Sequence, residues 1–246
     1  MRQNQTFDYV KRMHSKYLNF NNPMELWEAM YSLDNLIDVS DPDLDLPNVQ
    51  HLIQSAEAIR NDNRPDWMQL TGLIHDLGKT MYLWGCDKDG TSQKEQWGLV
   101  GDVFVVGCSL PKSCVFPEFN KLNPDMENEK YNTQNGIYQD KCGLDNLTLA
   151  WGHDEYLFQV LKNHKTNDLP EEAMAMIRYH SFYPWHTGMS YSSLLNEKDK
   201  QYLEWIKDFN KYDLYTKSNK TYDLDEIIDY YDPIAKKYLG DTLIYW

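Results

Sequence analysis

Residues Pro65–Met81, PDWMQLTGLIHDLGKTM, read as one helix that carries ionisable side chains on its apolar stripe. Met68, Gly72, His75 and Lys79 follow one another at spacings of four, three and four, with Leu73 and Leu77 beside them, which is the repeat of a single helix face. Four other segments repeat the pattern. His51 shares a stripe with Leu52, Ser55, Ala56 and Ile59; His153 with Leu149, Tyr156, Leu157 and Val160; His180 with Ala173, Met176 and Ile177; Asp213 with Tyr202, Ile206 and Phe209. Burying one unpartnered polar group costs roughly 2–7 kcal/mol, and an isolated carboxylate costs far more. Five helices that each aim such a group at the core imply a common partner there, and a metal site is the simplest one. Imidazole and carboxylate donors suit iron, zinc, manganese or nickel, so donor type leaves the ion open.

Each of these residues taken alone has a plainer explanation. A histidine on an apolar face is ordinarily a hydrogen-bonded core residue, and His14 fits such a stripe without being given a function. His164 in KNHKTN and His186 in PWHTG stand in polar or turn-rich sequence and read as surface or loop residues. The dipeptide His75-Asp76 is a weak motif, because seven histidines in an Asp-rich chain yield a pair or so by chance, and His153-Asp154 is a second. Lys79 reads equally as a solvated cation offsetting a helix dipole, and Asp213 as a local cap or pair within NKYDLYTK.

The rest of the chain narrows the class. At 246 residues it can bury a sizeable core as one α-domain, and its 18 Tyr and 8 Trp supply large side chains for helix packing. A formal net charge of −14 argues against nucleic acid or an anionic membrane surface as partner, since both demand clustered Lys and Arg. Cys86, Cys108, Cys114 and Cys142 lie far apart, which fits neither a disulfide framework nor a zinc ribbon and favours a reducing compartment. The polar start MRQNQTFDYVKR has no apolar stretch of a signal peptide, and no apolar run approaches the roughly 20 residues of a membrane span. A soluble cytoplasmic protein is expected. Further helices are read near Phe7–Leu18, from Pro23 through PMELWEAMYSLDNL, over Asn48–Arg60, and near Asp145, Pro170, Asp199 and Leu224. Asp38–Pro47 is a loop of turn formers, and Trp84–Asp145 is irregular, with only DVFVVGC (Asp102–Cys108) extended. The fold class is all-α, a helical bundle with long irregular loops and at most a short β-hairpin.

The order His51, His75-Asp76, Asp213 resembles the HD-domain superfamily. The surrounding strings are more specific: SDPDLDLPNVQHLIQSAEAIR, GLIHDLGK, WGLVGDVFVVGC, LAWGHDEYLFQV, IRYHSFYPWHTG and DFNKYDLYTK are similar to those of the myo-inositol oxygenase family. The likeness covers Thr6 to Trp246. It implies an HD-type helical enzyme that converts myo-inositol and dioxygen to D-glucuronate at two iron ions, mixed-valent Fe(II)/Fe(III) when active. One iron would be held by His51, His75, Asp76 and Asp213, the other by His153 and His180, with Asp76 bridging. Asp38, Ser40, Lys79, Gly101, Asp102, His180 and Ser181 would contact substrate, and Lys79 would stabilise charge on a substrate oxygen. The enzyme is expected to act as a monomer. Two departures stand out. The family's N-terminal segment, with an arginine that closes over the substrate, is expected to be missing, and Arg2 is not assigned that role. Val39 stands where an acidic residue is common. Two other readings use the same donor types, a metal-dependent phosphohydrolase of the HD superfamily and a non-catalytic iron- or oxygen-binding helical protein. The first should gather several Lys or Arg at the motifs, where only Lys79 is expected.

Overall fold

Helix α1 (Phe7–Tyr17) starts where Thr6 caps it, its side chain accepting the Tyr9 N–H, and it buries Val10, Met13 and Tyr17 on one face. The other helices follow as α2 (Leu26–Ser32), α3 (Asn48–Asn61), α4 (Asp66–Ile74), α5 (His153–Asn163), α6 (Glu171–Tyr179), α7 (Tyr183–His186), α8 (Glu197–Tyr215) and α9 (Leu224–Leu239). This computed structural model describes residues 1–40, 47–215, 220–240 and 242–246. Part of the Asp38–Pro47 loop therefore lies outside the described residues. Helix α4 is the centre, packed against α3, α6, α8 and α9, and α5 packs against α6 and the turn that follows α4. Gly72 permits the α3–α4 contact, because a Cβ there would lie 2.6 Å from Ile59 Cδ1 and 3.2 Å from the Ala56 backbone.

The all-α reading holds, with four local differences. Pro23 does not open a helix: Pro23–Glu25 is strand β1, paired antiparallel with strand β2 (Leu243–Tyr245) in the register Met24↔Ile244. The two strands come from opposite ends of the chain, so they are not a hairpin. The fourth helix does not reach Met81. It ends at His75, and Leu77–Leu83 continues as a tighter 3₁₀ helix. Leu149 lies outside α5, which begins at His153 itself, and instead bridges to Val105 in the expected extended stretch, with the Val106 N–H donating to Thr148 O and the Ala150 N–H to Phe104 O on either side. Trp84–Asp145 is irregular apart from short 3₁₀ turns such as Pro117–Leu122 and Leu144–Asn146. Among the described residues no helix is long and apolar enough to cross a membrane.

Candidate metal centre

His75 and His180 occupy matching positions, each the first residue beyond a nine-residue helix. The last carbonyls of a helix lack partners within it, and each ring meets one: His75 Nδ1 lies 2.8 Å from Gly72 O and His180 Nδ1 3.0 Å from Ile177 O. His153, at the start of α5, sets its Nδ1 2.8 Å from Leu99 O. A ring nitrogen facing a carbonyl carries a proton, so all three rings are oriented with Nε2 turned inward, the nitrogen that binds a cation once the ring is neutral.

Those Nε2 atoms converge on carboxylates in two groups. In the first, Asp213 Oδ1, from α8, is 3.0 Å from His51 Nε2 and 3.4 Å from His75 Nε2, and Asp76 Oδ2 is 3.9 Å from both rings. In the second, Asp76 Oδ1 is 2.9 Å from His153 Nε2 and 3.4 Å from His180 Nε2, and the two Nε2 atoms are 3.2 Å apart. Donors about 2.1 Å from a shared ion sit about 3 Å apart at right angles and about 4 Å apart across it. The second group and the Asp213 contacts of the first have the closer spacing, and Asp76 Oδ2 in the first group the wider one. With both Nδ1 atoms turned to carbonyls, the facing Nε2 atoms of His153 and His180 leave room for one proton between them, the place a cation would take. Asp76 offers one oxygen to each group.

The charges agree with that arrangement. Burial works against ionisation of Asp76 and Asp213, yet Lys79, His75 and His153 around the first, and His51 and His75 around the second, hold both well below the usual carboxylate range. Burial likewise opposes charge on His180, but Asp154, Asp76 and Asp213 push its pKa up to about 10. His75 goes the other way, because its burial outweighs Asp76 and Asp213. The site therefore holds more negative charge than its side chains neutralise.

A cavity of about 740 Å³ opens onto the cluster, walled by Asp38, Ser40, Lys79, Gly101, Asp102 and Ser181 and by Met1, Arg2 and Tyr183. Lys79 Nζ donates to Asp38 Oδ2 at 2.7 Å and Asp76 Oδ2 at 2.6 Å. Burial opposes its charge, but the two carboxylates raise its pKa, so it stays an ammonium. Ser40 Oγ donates to Asp38 Oδ1 at 2.6 Å and so braces the carboxylate that holds Lys79.

A profile of the myo-inositol oxygenase family matches residues 1–246 of this chain. The chain belongs to the myo-inositol oxygenase family. It is 46% identical to the inositol oxygenase of Danio rerio over 99% of its own length and 85% of that protein's, and 46% identical to the inositol oxygenase of Mus musculus over 99% and 83%. Inositol oxygenase 4 of Arabidopsis thaliana is 47% identical over 98% of this chain and 74% of that protein.

Against the family's implied site, the structure brings His51, His75, Asp76, His153, His180 and Asp213 together and sets all seven expected substrate-side positions, His180 included, around this cavity. Val39 also lines the cavity, at its exposed edge: its side chain is mostly exposed, and its N–H donates to Gln96 Oε1. Three residues that the sequence gave no part in the site stand at it or beside it. Asp154 is buried, both its oxygens lack hydrogen-bond partners, and they lie 3.2 Å from His180 Nε2 and 3.5 Å from His153 Nε2. The His153-Asp154 pair, read as chance, was its signal. His186 is not a surface residue. It is 1% exposed in α7, and its Nε2 donates to the His180 carbonyl at 2.9 Å. Burial lowers its pKa to about 4, so it is neutral. Lys79 is also not the one cation at the site, since Arg2 reaches the cavity wall.

Proposed function

We propose that this chain is a di-iron oxygenase that opens the ring of myo-inositol with dioxygen to give D-glucuronate. His51, His75, Asp213 and Asp76 would hold one ion, and His153, His180 and the same Asp76 would hold the other. The observation that carries this reading is the split of one carboxylate between two donor groups, which suits two neighbouring ions and gives a single ion no advantage. Iron, when bound, supplies the one-electron chemistry that activates dioxygen, which zinc cannot supply. The net reaction, C6H12O6 + O2 → C6H10O7 + H2O, balances without an external reductant.

The chain's own side chains bind, orient and charge the substrate. Lys79 is held by Asp38 and Asp76 with one N–H to spare, and that N–H donates to a substrate oxygen and stabilises negative charge developing there. Asp102 and the Gly101 backbone on one wall, and Ser181 with Asp38 and Ser40 on others, provide acceptors and donors for the remaining hydroxyls, which are all a cyclitol offers for recognition. Tyr183 and Phe119 add aromatic surface to the cavity wall. The four cysteines are unpaired among the described residues, which suits the reducing cytoplasm where we place the enzyme.

Iron-loaded protein given myo-inositol in air should take up oxygen and form glucuronate in equal amounts, and Lys79→Ala should lower the turnover by about 10²-fold or more. Phosphodiester hydrolysis under manganese, with no oxygen uptake under iron, would overturn the reading.

A further inference from the structure

Asp102 stands in the cavity wall with two unlike oxygens. Its Oδ2 accepts from Arg2 Nη2 at 2.6 Å and from the Val115 N–H at 3.0 Å. Its Oδ1 is buried and has no hydrogen-bond partner among the described residues. Arg2 is only 7% exposed, although arginine is almost never fully buried unless paired. Its position is over-determined. Nε donates to Asn120 Oδ1 at 2.9 Å, Nη2 donates also to Val115 O at 2.9 Å, and the guanidinium carbon lies 4.4 Å from the Phe104 ring centroid. Met1 packs over Gly101, where its Sδ would come within 3.0 Å of an added Cβ and where φ is +108°. Residues 1 and 2 thus close over the Gly101–Asp102 turn from outside.

A carboxylate in such a place needs help to remain an acceptor. Burial raises the Asp102 pKa, with Arg2 and the Val115 N–H working in the opposite direction. If the carboxyl were protonated or free to rotate, it would present a donor or an average of orientations to a ligand. Arg2 uses Nε on Asn120 and Nη2 on Asp102 and Val115, which makes it a brace for the Asp102 carboxylate.

Resting on the reading that this cavity takes a polyol, we propose that Arg2 is a positioning residue for the substrate: it fixes Asp102 through Oδ2 so that Oδ1 accepts one ring hydroxyl. The role acts through another side chain and touches neither the reacting carbon nor the metal donors. It therefore bears on substrate binding far more than on the chemical step.

The test is a double-mutant cycle on the iron-loaded full chain, with myo-inositol as the probe. Arg2→Gln should raise KM about 10-fold or more with kcat changed less than about 2-fold, and the iron content should be unaltered. Arg2→Lys should recover part of the loss, because it restores the charge without the fork. In an Asp102→Asn background, Arg2→Gln should add little, since both changes remove one shared interaction. Thermal melts of all variants separate misfolding from misplacement. Unchanged KM in a well-folded Arg2→Gln protein, or KM effects that multiply in the double variant, would overturn the proposal. Failure of wild-type protein to turn over would instead strike the oxygenase reading itself.

Discussion

Asp76 is a buried carboxylate with Lys79 Nζ 2.6 Å away, Asn48 Nδ2 at 3.4 Å, and imidazoles on two sides. Removing one partner from such a cluster leaves charge uncompensated in the interior, which is why buried ionic groups tolerate so little change. The same logic sets a pH dependence at His180. Its folded pKa of about 10 lies above the ordinary 6.5, because Asp154, Asp76 and Asp213 together outweigh burial. In the metal-free protein that charge stabilises the fold fully below the ordinary value, and the contribution is lost as pH rises through about 10. A metal ion binds only the neutral ring. Uptake of ferrous ion near pH 7 should therefore expel about one proton per chain from this ring, and affinity should climb as pH rises. Anaerobic titration calorimetry in buffers of different ionisation heat measures this directly. A binding heat that does not depend on the buffer would contradict it.

At the scale of elements, the centre is built from helix ends rather than helix faces. The α4 and α6 helices both stop at a histidine that bonds back to the carbonyl three residues earlier, and α5 starts with one. Periodicity in the sequence located the right residues, because the first and last residues of a helix still lie on its apolar stripe. It gave the wrong lengths, because a terminal histidine that caps its own helix has the same spacing as one in the middle. The 3₁₀ helix after α4 then runs so close to α5 that a Cβ on Gly78 would lie 2.1 Å from the His153 carbonyl oxygen and 2.8 Å from its carbon. Those are backbone atoms and have nowhere cheap to go. Gly78→Ala should lower stability by about 1–3 kcal/mol, and it should displace His153, weakening iron on that side more than on the His51 side. Thermal melts and iron per chain read both effects; a wild-type melt with full iron content would refute this account of the crossing.

Across the whole molecule, the six donors come from segments as far apart as His51 and Asp213, joined by α3, α4, α5, α6 and α8. The apolar stripes pointed to five of the six, His51, His75, His153, His180 and Asp213; Asp76 entered only with the resemblance, which also sorted the donors into two sets. What stayed hidden was supplied by contacts between distant parts of the chain. The first residues fold onto the irregular segment through Arg2 and Asp102, His186 supports the His180 backbone, and β1 pairs with β2 from the far end, burying Trp246. None of these leaves a period in the sequence, because each depends on chain topology rather than on neighbouring residues. The central claim, one carboxylate between two ions, is open to direct measurement. Anomalous diffraction at the iron edge from crystals of iron-loaded protein should give two peaks, one beside Asp76 Oδ2 among His51, His75 and Asp213, the other beside Asp76 Oδ1 between His153 and His180. A single peak, or iron bound away from Asp76, would contradict the account.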